Sequence, residues 1–546
     1  MTSSFPFPKT AGFLLFVLLF GSLTANSQLL YPDPPDYDAE VITSKPFKSH
    51  DQDYFVTGPI GNSMYSFFTH KKDTYIERID IESLEILSKK ELKAKYEGYK
   101  GIPYTLLNFE KNLFWVCKFF LEKEDSILFL KQELDPISLE PMGDLTYLAG
   151  ISHSGNHDDK DWGELIFPSS NDNSNLMVAT RDGPKEGVPT TLRVYSYGPE
   201  MELNWERKVI LPYPSTKTDL FSWYVQGHDT LIVSASVLTE KRKEDKTKGN
   251  PWDVHVLVIT PSEESSSSYT IPAEGSFLRF MNSIVRNDTL YGMLRFGGPE
   301  FLSHNGFMAF KIDLKGRQMF ELVSLPNLHL DIMKEIPKEL MEYYKIRVQV
   351  TDDGMILGFE PLEIRFTPSG KEILLMVIPR TWMEKTIEYH SNSGVQKHKT
   401  LHYFFGDVHF IKLTKDWKYI STERIPLTLK NLDGRVPMNP GYDLDAQEYR
   451  LFYNNAKYYS NDMLEESKFK LPIEQAMMNS YPLAIVTWDG VNPPKRIVVD
   501  ITDKKAFCVE TRRIRNIDKN TYFMMTHSFG KSMYVKLSLE KKTAVE

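Results

Sequence analysis

Short β-rich runs, joined by turns into groups of two or three, recur along nearly the whole chain. The clearest group is 288–296, 306–314 and 321–325, and another begins 59 residues earlier with 229–234 and continues through 254–259. A third is 63–69, 74–81 and 84–87. Looser copies pair 112–120 with 126–133, 176–180 with 191–197, 372–379 with 402–413, and 521–526 with 532–539, while 449–453 precedes 483–488 and 496–499. That makes eight units at irregular intervals of about 50 to 95 residues, and the apolar period is that of strands throughout.

A unit of three or four strands cannot bury both of its faces alone. Units packed face to face around an axis share a continuous core, and closing the ring protects the sheet edges. The expected fold is therefore all-β: a single β-propeller of seven or eight four-stranded blades. The final unit runs out of strands at Leu539, and Ala39-Glu40-Val41-Ile42 near the other end is an orphan strand-like run able to complete it. The rival is a row of tandem β-sandwich domains. Sandwiches call for linkers, and no Pro/Ser-rich stretch of sufficient length is found. Neither the Trp-Asp signature of WD40 repeats nor the double-Gly signature of kelch repeats recurs from unit to unit.

Composition narrows the function classes. The 546 residues are 41% hydrophobic, enough for a packed core, and the formal charge of -8 disfavours a nucleic-acid surface. Two cysteines cannot build a disulfide framework or a Cys-rich zinc module.

The first residues read MTSSFPFPKTAGFLLFVLLFGSLTANSQ. Lys9 precedes an apolar stretch from Ala11 to Leu23, and Ala25-Asn26-Ser27 follows, which is the three-part plan of a signal peptide over 1–27 with cleavage before Gln28. The stretch of 13 apolar residues is shorter than the roughly 20 that span a bilayer, and no later segment approaches 18. The mature chain, 28–546, is thus expected to be exported, to the periplasm or beyond, without a membrane span. Small residues ahead of a Gln make this leader resemble those of exported proteins of the Bacteroidetes group. The ending Gly530-Lys531-Ser532-Met533-Tyr534-Val535-Lys536-Leu537 is faintly similar to the closing strand of the C-terminal sorting domains found in that group, but reads as part of the main fold.

Polar insertions are expected near 145–175, 239–251 and 456–480, and a protruding hairpin at 383–400. The stretches 331–346 and 464–480 carry helical character, and the serine tract Ser265 to Ser268 reads as a flexible loop. Insertions matter because loops on a rigid scaffold carry function.

The densest set of potential ligands is His153-Ser154-Gly155-Asn156-His157-Asp158-Asp159-Lys160-Asp161-Trp162-Gly163-Glu164. Asp158, Asp159 and Asp161 are candidate oxygen ligands for Ca²⁺, but their spacing misses the calcium-loop pattern and Lys160 sits among them. A solvated loop is the blander reading. His402 and His409 flank an aromatic run and, on one regular strand, face opposite sides, which prevents shared ligation. Cys117 and Cys508 lie in the second and last units, so two buried free thiols are expected. Asn287-Asp288-Thr289 is a formal N-glycosylation site at a turn. Trp115, Trp223, Trp252, Trp382 and Trp488 fall in or beside strands, where packing between blades is the ordinary role and a sugar or partner platform the alternative.

No nucleophile elbow, H-E-x-x-H pair, phosphate loop or haem motif is present. The expected function is an exported binding or scaffold protein, holding a protein or glycan partner on one propeller face without catalysis. The alternative is a propeller hydrolase or lyase acting on a polysaccharide or peptide at the central funnel.

Overall fold

The computed structural model describes residues from Tyr37 to Lys542, with breaks whose longest are 153–162, 239–251, 326–358, 433–440 and 455–482. These residues form eight blades arranged in a ring, a β-propeller. Within a blade the chain runs from the axis outward through an inner, second, third and outer strand. Blade 1 comprises Gln52–Ile60, Ser63–His70, Asp73–Asp80 and Ile86–Leu92. Blade 2 comprises Ile102–Phe109, Asn112–Leu121, Ser126–Leu134 and Pro141–Ser152. Blade 3 comprises Glu164–Ile166, Leu176–Arg181, Pro189–Tyr197 and Leu203–Pro214, and blade 4 Thr218–Gln226, Thr230–Leu238, Trp252–Ile259 and Ser267–Ile271. Blade 5 comprises Phe277–Arg286, Thr289–Gly297, His304–Asp313 and Gln318–Leu325. Blade 6 comprises Phe359–Phe366, Glu372–Ser391, Val408–Thr414 and Tyr419–Ile425, and blade 7 Gly441–Leu444, Tyr449–Asn454, Leu483–Trp488 and Lys495–Val499.

Blade 8 is assembled from both ends of the chain. Cys508–Val509 and Arg515–Asp518 supply its inner edge, Thr521–Ser528 and Lys531–Lys541 its middle, and Tyr37–Thr43 its outer strand. Tyr37 lies opposite Lys541 and Thr43 opposite Val535, so the orphan run completes the last blade as its sequence implied.

The core decides between ring and row. Eight hydrophobic clusters occupy the eight gaps between successive blades, including one between blades 8 and 1 built from Met64, Phe68 and Ile79 against Phe523, Met525 and Tyr534. Tandem sandwiches would leave such gaps open. Middle strands are consequently apolar on both faces: Asn112–Leu121 buries Phe114 and Val116 toward blade 3 and Trp115, Cys117 and Phe119 toward blade 1. The outer strand Leu203–Pro214 alternates, because only one of its faces has a neighbour.

The turn between third and outer strand carries a repeated device. Leu84, Leu139, Met201 and Trp417 sit there with φ of 56°, 62°, 59° and 61°, and all four are buried. Each N–H reaches back 2.8 to 2.9 Å to a carbonyl three or four residues earlier, turning an apolar side chain inward as a plug between blades. In blades 1 and 2 an aspartate shapes the turn: Asp80 accepts from the Glu82 and Ser83 N–H groups, and Asp135 from those of Ile137 and Ser138.

Several expectations change. Ser266 to Ser268 of the serine tract are not a free loop, since Ser267 and Ser268 begin the outer strand of blade 4 and Ser266 accepts a hydrogen bond from the Thr260 N–H at 3.2 Å, while Ser265 lies outside the described residues. The insertion expected at 145–175 is narrower: residues up to Ser152 continue an outer strand and Glu164–Ile166 begins the next blade. The run 402–413 is two strands, because Gly394–Phe405 pairs with 380–391 whereas Val408–Thr414 pairs with 372–377. The helical stretches 331–346 and 464–480, the insertions 239–251 and 456–480, and the leader 1–27 lie outside the described residues.

Candidate functional site

Strand direction divides the propeller into two unlike faces. Connections from inner to second and from third to outer strand emerge on one face. Those from second to third strand, and from each outer strand to the next blade, emerge on the other. On the first face the longest connection is nine residues, between Ile166 and Leu176. On the second, 13 residues separate Leu238 from Trp252, 28 separate Asn454 from Leu483, and 33 separate Leu325 from Phe359. The hairpin expected at 383–400 is also there: the second strand of blade 6 continues past the blade body and pairs with Gly394–Phe405 from Arg380 to Ser391. Every long excursion thus opens on one face.

Where blades 2 to 4 meet this face, the polar framework is firmly tied. Arg193 donates from Nη1 to Asp182 Oδ1 at 2.6 Å and from Nη2 to Ser152 Oγ at 2.9 Å, while the Ser152 N–H donates to the same Asp182 oxygen at 3.0 Å. Arg181 donates to the carbonyls of Ser215 and Thr218, which fixes the start of blade 4. Gly163 makes the chain reversal possible: its φ is 69°, and a Cβ there would stand 2.4 Å from the Arg181 carbonyl oxygen. These guanidinium groups brace loops. Toward the axis, Ile102 and Tyr104 of blade 2 are exposed, as are Glu164 of blade 3 and Asp219 of blade 4. Tyr104 donates to the Leu165 carbonyl, and burial first, then the Glu164 charge, raises its hydroxyl above the ordinary range. Ser169–Ser170 pair in parallel with Tyr224 and Val225 along the inner edge of blade 4.

The candidate ligands Asp158, Asp159 and Asp161 lie outside the described residues. Among the described residues no group of three or more His, Cys, Asp or Glu is placed to hold a metal. His402 and His409 are on different strands, so the single-strand geometry expected for them does not apply. Cys117 is a buried free thiol between blades 1 and 2, held well above the usual thiol range by burial, and Cys508 belongs to the inner edge of blade 8. Blade 1 stands between them. Trp115 and Trp488 are core residues, with indole N–H groups donating to Gln132 at 3.0 Å and the Asn492 carbonyl at 2.8 Å, and Trp223 packs in the core between blades 3 and 4. The side chains of Trp252 and Trp382 lie outside the described ones. Asn287 and Asp288 form an exposed two-residue turn with φ of 48° and 56°, on the short-turn face. No described helix is long and apolar enough to cross a membrane.

Sequence reasoning did not find the Asp182–Arg193–Ser152 knot, since three residues spread over 41 positions carry no local signal.

No protein-family model matches the chain, and no curated protein does. Among solved structures it is similar to an acylaminoacyl peptidase in complex with Z-Gly-Gly-Phe-chloromethyl ketone, at 11% identity and a TM-score of 0.33 over 87% of this chain and 57% of that one. It is similar to the Dos1 propeller at 10% identity and a TM-score of 0.43, over 92% and 96% of the two chains. It is also similar to prolyl oligopeptidase B from Galerina marginata at 9% identity and a TM-score of 0.36, over 93% and 58%. The chain spans little more than half the length of either peptidase it matches.

Proposed function

We propose that the protein is an exported binding protein that holds a protein or glycan partner on its loop-bearing face, after removal of residues 1–27. One observation carries this reading: all long connections and the blade 6 hairpin open on the same face, while the opposite face has short turns. A rigid ring that concentrates its variable chain on one side is built to present a surface. The charged groups described there support binding over catalysis. Arg181 and Arg193 are spent on bracing, and the exposed groups near the axis are a mixture of Ile102, Tyr104, Glu164 and Asp219 suited to contact.

The test is a pull-down from the native source with the intact protein and with a variant in which 383–400 is replaced by a two-residue turn. The expected result is a specific partner retained by the first and lost or weakened with the second, at unchanged melting temperature. Turnover of a polysaccharide or peptide by the purified protein would overturn the reading in favour of a propeller hydrolase or lyase.

A further inference from the structure

The gap between blades 5 and 6 opens onto the short-turn face beside an arginine that the fold leaves without a polar partner. Arg286 ends the inner strand of blade 5. Ile284, two residues earlier, is buried in the core against blade 6, so the strand period of two turns Arg286 the same way, into the mouth of that gap. There its guanidinium lies over the Phe366 ring of blade 6, 4.7 Å from the centroid. Gly370, in the turn from inner to second strand of blade 6, forms the other support. A Cβ at that position would overlap the guanidinium, and the φ of 67° favours glycine. Ring and glycine together fix the plane of the charged group.

Other arginines are spent on the fold: Arg78, Arg193, Arg207 and Arg450 each reach a carbonyl or a carboxylate. Arg286 is half-buried and makes no hydrogen bond or ion pair among the described residues. Two more donors of this gap are in the same state. Tyr291 packs edge-on to Phe366 at 5.0 Å and to Trp417 at 6.1 Å, and its hydroxyl has no partner among the described residues. Trp417 plugs the gap, and its buried indole N–H meets no acceptor. The acidic groups bordering the gap are engaged: Asp416 by Lys311 at 3.2 Å, and Asp288 by Gln226 of blade 4 at 3.3 Å. Lys371, exposed on the turn that carries Gly370, adds a second cation.

A guanidinium presents five N–H groups in a planar fork that fits two oxygens of one anion. Holding it half out of water, its plane fixed and no acceptor beside it, prepares it for such a group. We propose that the mouth of the gap between blades 5 and 6 binds an oxyanion, the carboxylate or phosphate group of a small ligand, gripped by Arg286 with Tyr291 and Lys371 at the rim. The site lies on the face opposite the long loops and does not rest on the partner proposed for them. The turns that border it, 287–288, 314–317, 367–371 and 414–418, are described apart from 316, 317 and 368. The long connection between blades 5 and 6 leaves Leu325 and rejoins at Phe359 on the other face.

The test is equilibrium dialysis of the chain from Gln28 onward against radiolabelled inorganic phosphate and, separately, acetate, with chloride holding ionic strength constant. At least one of the two ions should bind at one equivalent with a Kd below about 10 mM. Phosphate alone assigns a phosphorylated ligand, acetate alone a carboxylate, and binding of both the shared oxyanion chemistry. Arg286→Gln should weaken binding about tenfold or more and melt close to the parent, since no polar contact of the fold depends on it. Arg286→Lys keeps the charge, loses the fork and should weaken binding about three- to tenfold. Lys315→Gln removes an equal charge from an exposed position on the same face and should bind within about twofold of the parent. Failure of both ions to saturate, undiminished binding by Arg286→Gln, or an equal loss in Lys315→Gln would each overturn the proposal.

Discussion

At the scale of single residues the fold depends on side chains in unusual backbone states. Leu139 is buried at a φ of 62°, where a leucine is strained, and it is tolerated because the side chain fills the gap between blades 1 and 2. Leu139→Ala should destabilise the protein by about 2–4 kcal/mol in a denaturant titration, the cavity outweighing any backbone relief. Arg450 is buried between blades 7 and 8, donating to Glu448 at 2.8 and 3.0 Å, to the Lys519 carbonyl at 2.6 Å and to Asn520 at 2.8 Å. Arg450→Ala leaves those acceptors stranded and should cost about 3–5 kcal/mol by the same measurement. His255 is a buried imidazole whose Nδ1 meets the Tyr213 hydroxyl at 2.8 Å and that of Thr270 at 3.0 Å. Burial holds it below the ordinary histidine range, and the nearby Asp253 opposes this more weakly. Its folded value therefore lies under the unfolded one, about 6.5. Its contribution is fully present above that pH and is lost as pH falls toward the folded value. Melting temperature should drop between about pH 7 and pH 5, and His255→Gln should flatten that part of the curve.

At the scale of elements, much was legible. Strand runs such as 112–120 and 449–453 are apolar on both faces, and that alone places them in the middle of a packed blade. The closing strand was legible for the complementary reason, as a run with no local partner beside a last unit lacking one strand. What escaped notice was information that resides in register. The run 402–413 looks continuous because two strands abut with apolar residues on each side of Gly406-Asp407, and only their partners separate them. The plug turn is nearly identical in two places, Asp80-Ile81-Glu82-Ser83-Leu84-Glu85 and Asp135-Pro136-Ile137-Ser138-Leu139-Glu140, so it could have been read directly. In blades 3 and 6 it survives only as Met201 and Trp417 at positive φ, a backbone property that sequence does not display. Removing residues 37–43 should cost roughly 5–8 kcal/mol, from the loss of the Tyr37, Ala39, Val41 and Ile42 contacts. Since that matches the whole stability of many folded chains, the truncated protein should melt far lower or aggregate on heating.

For the whole molecule, eight shared cores mean that no blade has a private interior. Unfolding in denaturant should therefore follow one transition, seen alike by tryptophan fluorescence and far-ultraviolet dichroism; two separated transitions would show independently folding parts. The division into a plain face and an elaborated face was not legible in the sequence, although the excursions 239–251, 383–400 and 456–480 were, while the longest connection, between Leu325 and Phe359, was read only as helical over 331–346. Seeing that the strands flanking 239–251 and 456–480 end on the side of the hairpin requires knowing which end of each strand points where. The candidate calcium ligands Asp158, Asp159 and Asp161 stand out by local density of acidic residues alone, and they lie outside the described residues. Joining Tyr37–Thr43 to Lys531–Lys541 has one more consequence. A ribosome delivers the first of these segments long before the second. Until Lys531–Lys541 has been made, Tyr37–Thr43 has no third strand of blade 8 to pair with, so the ring can seal only after nearly all of the described chain has left the ribosome.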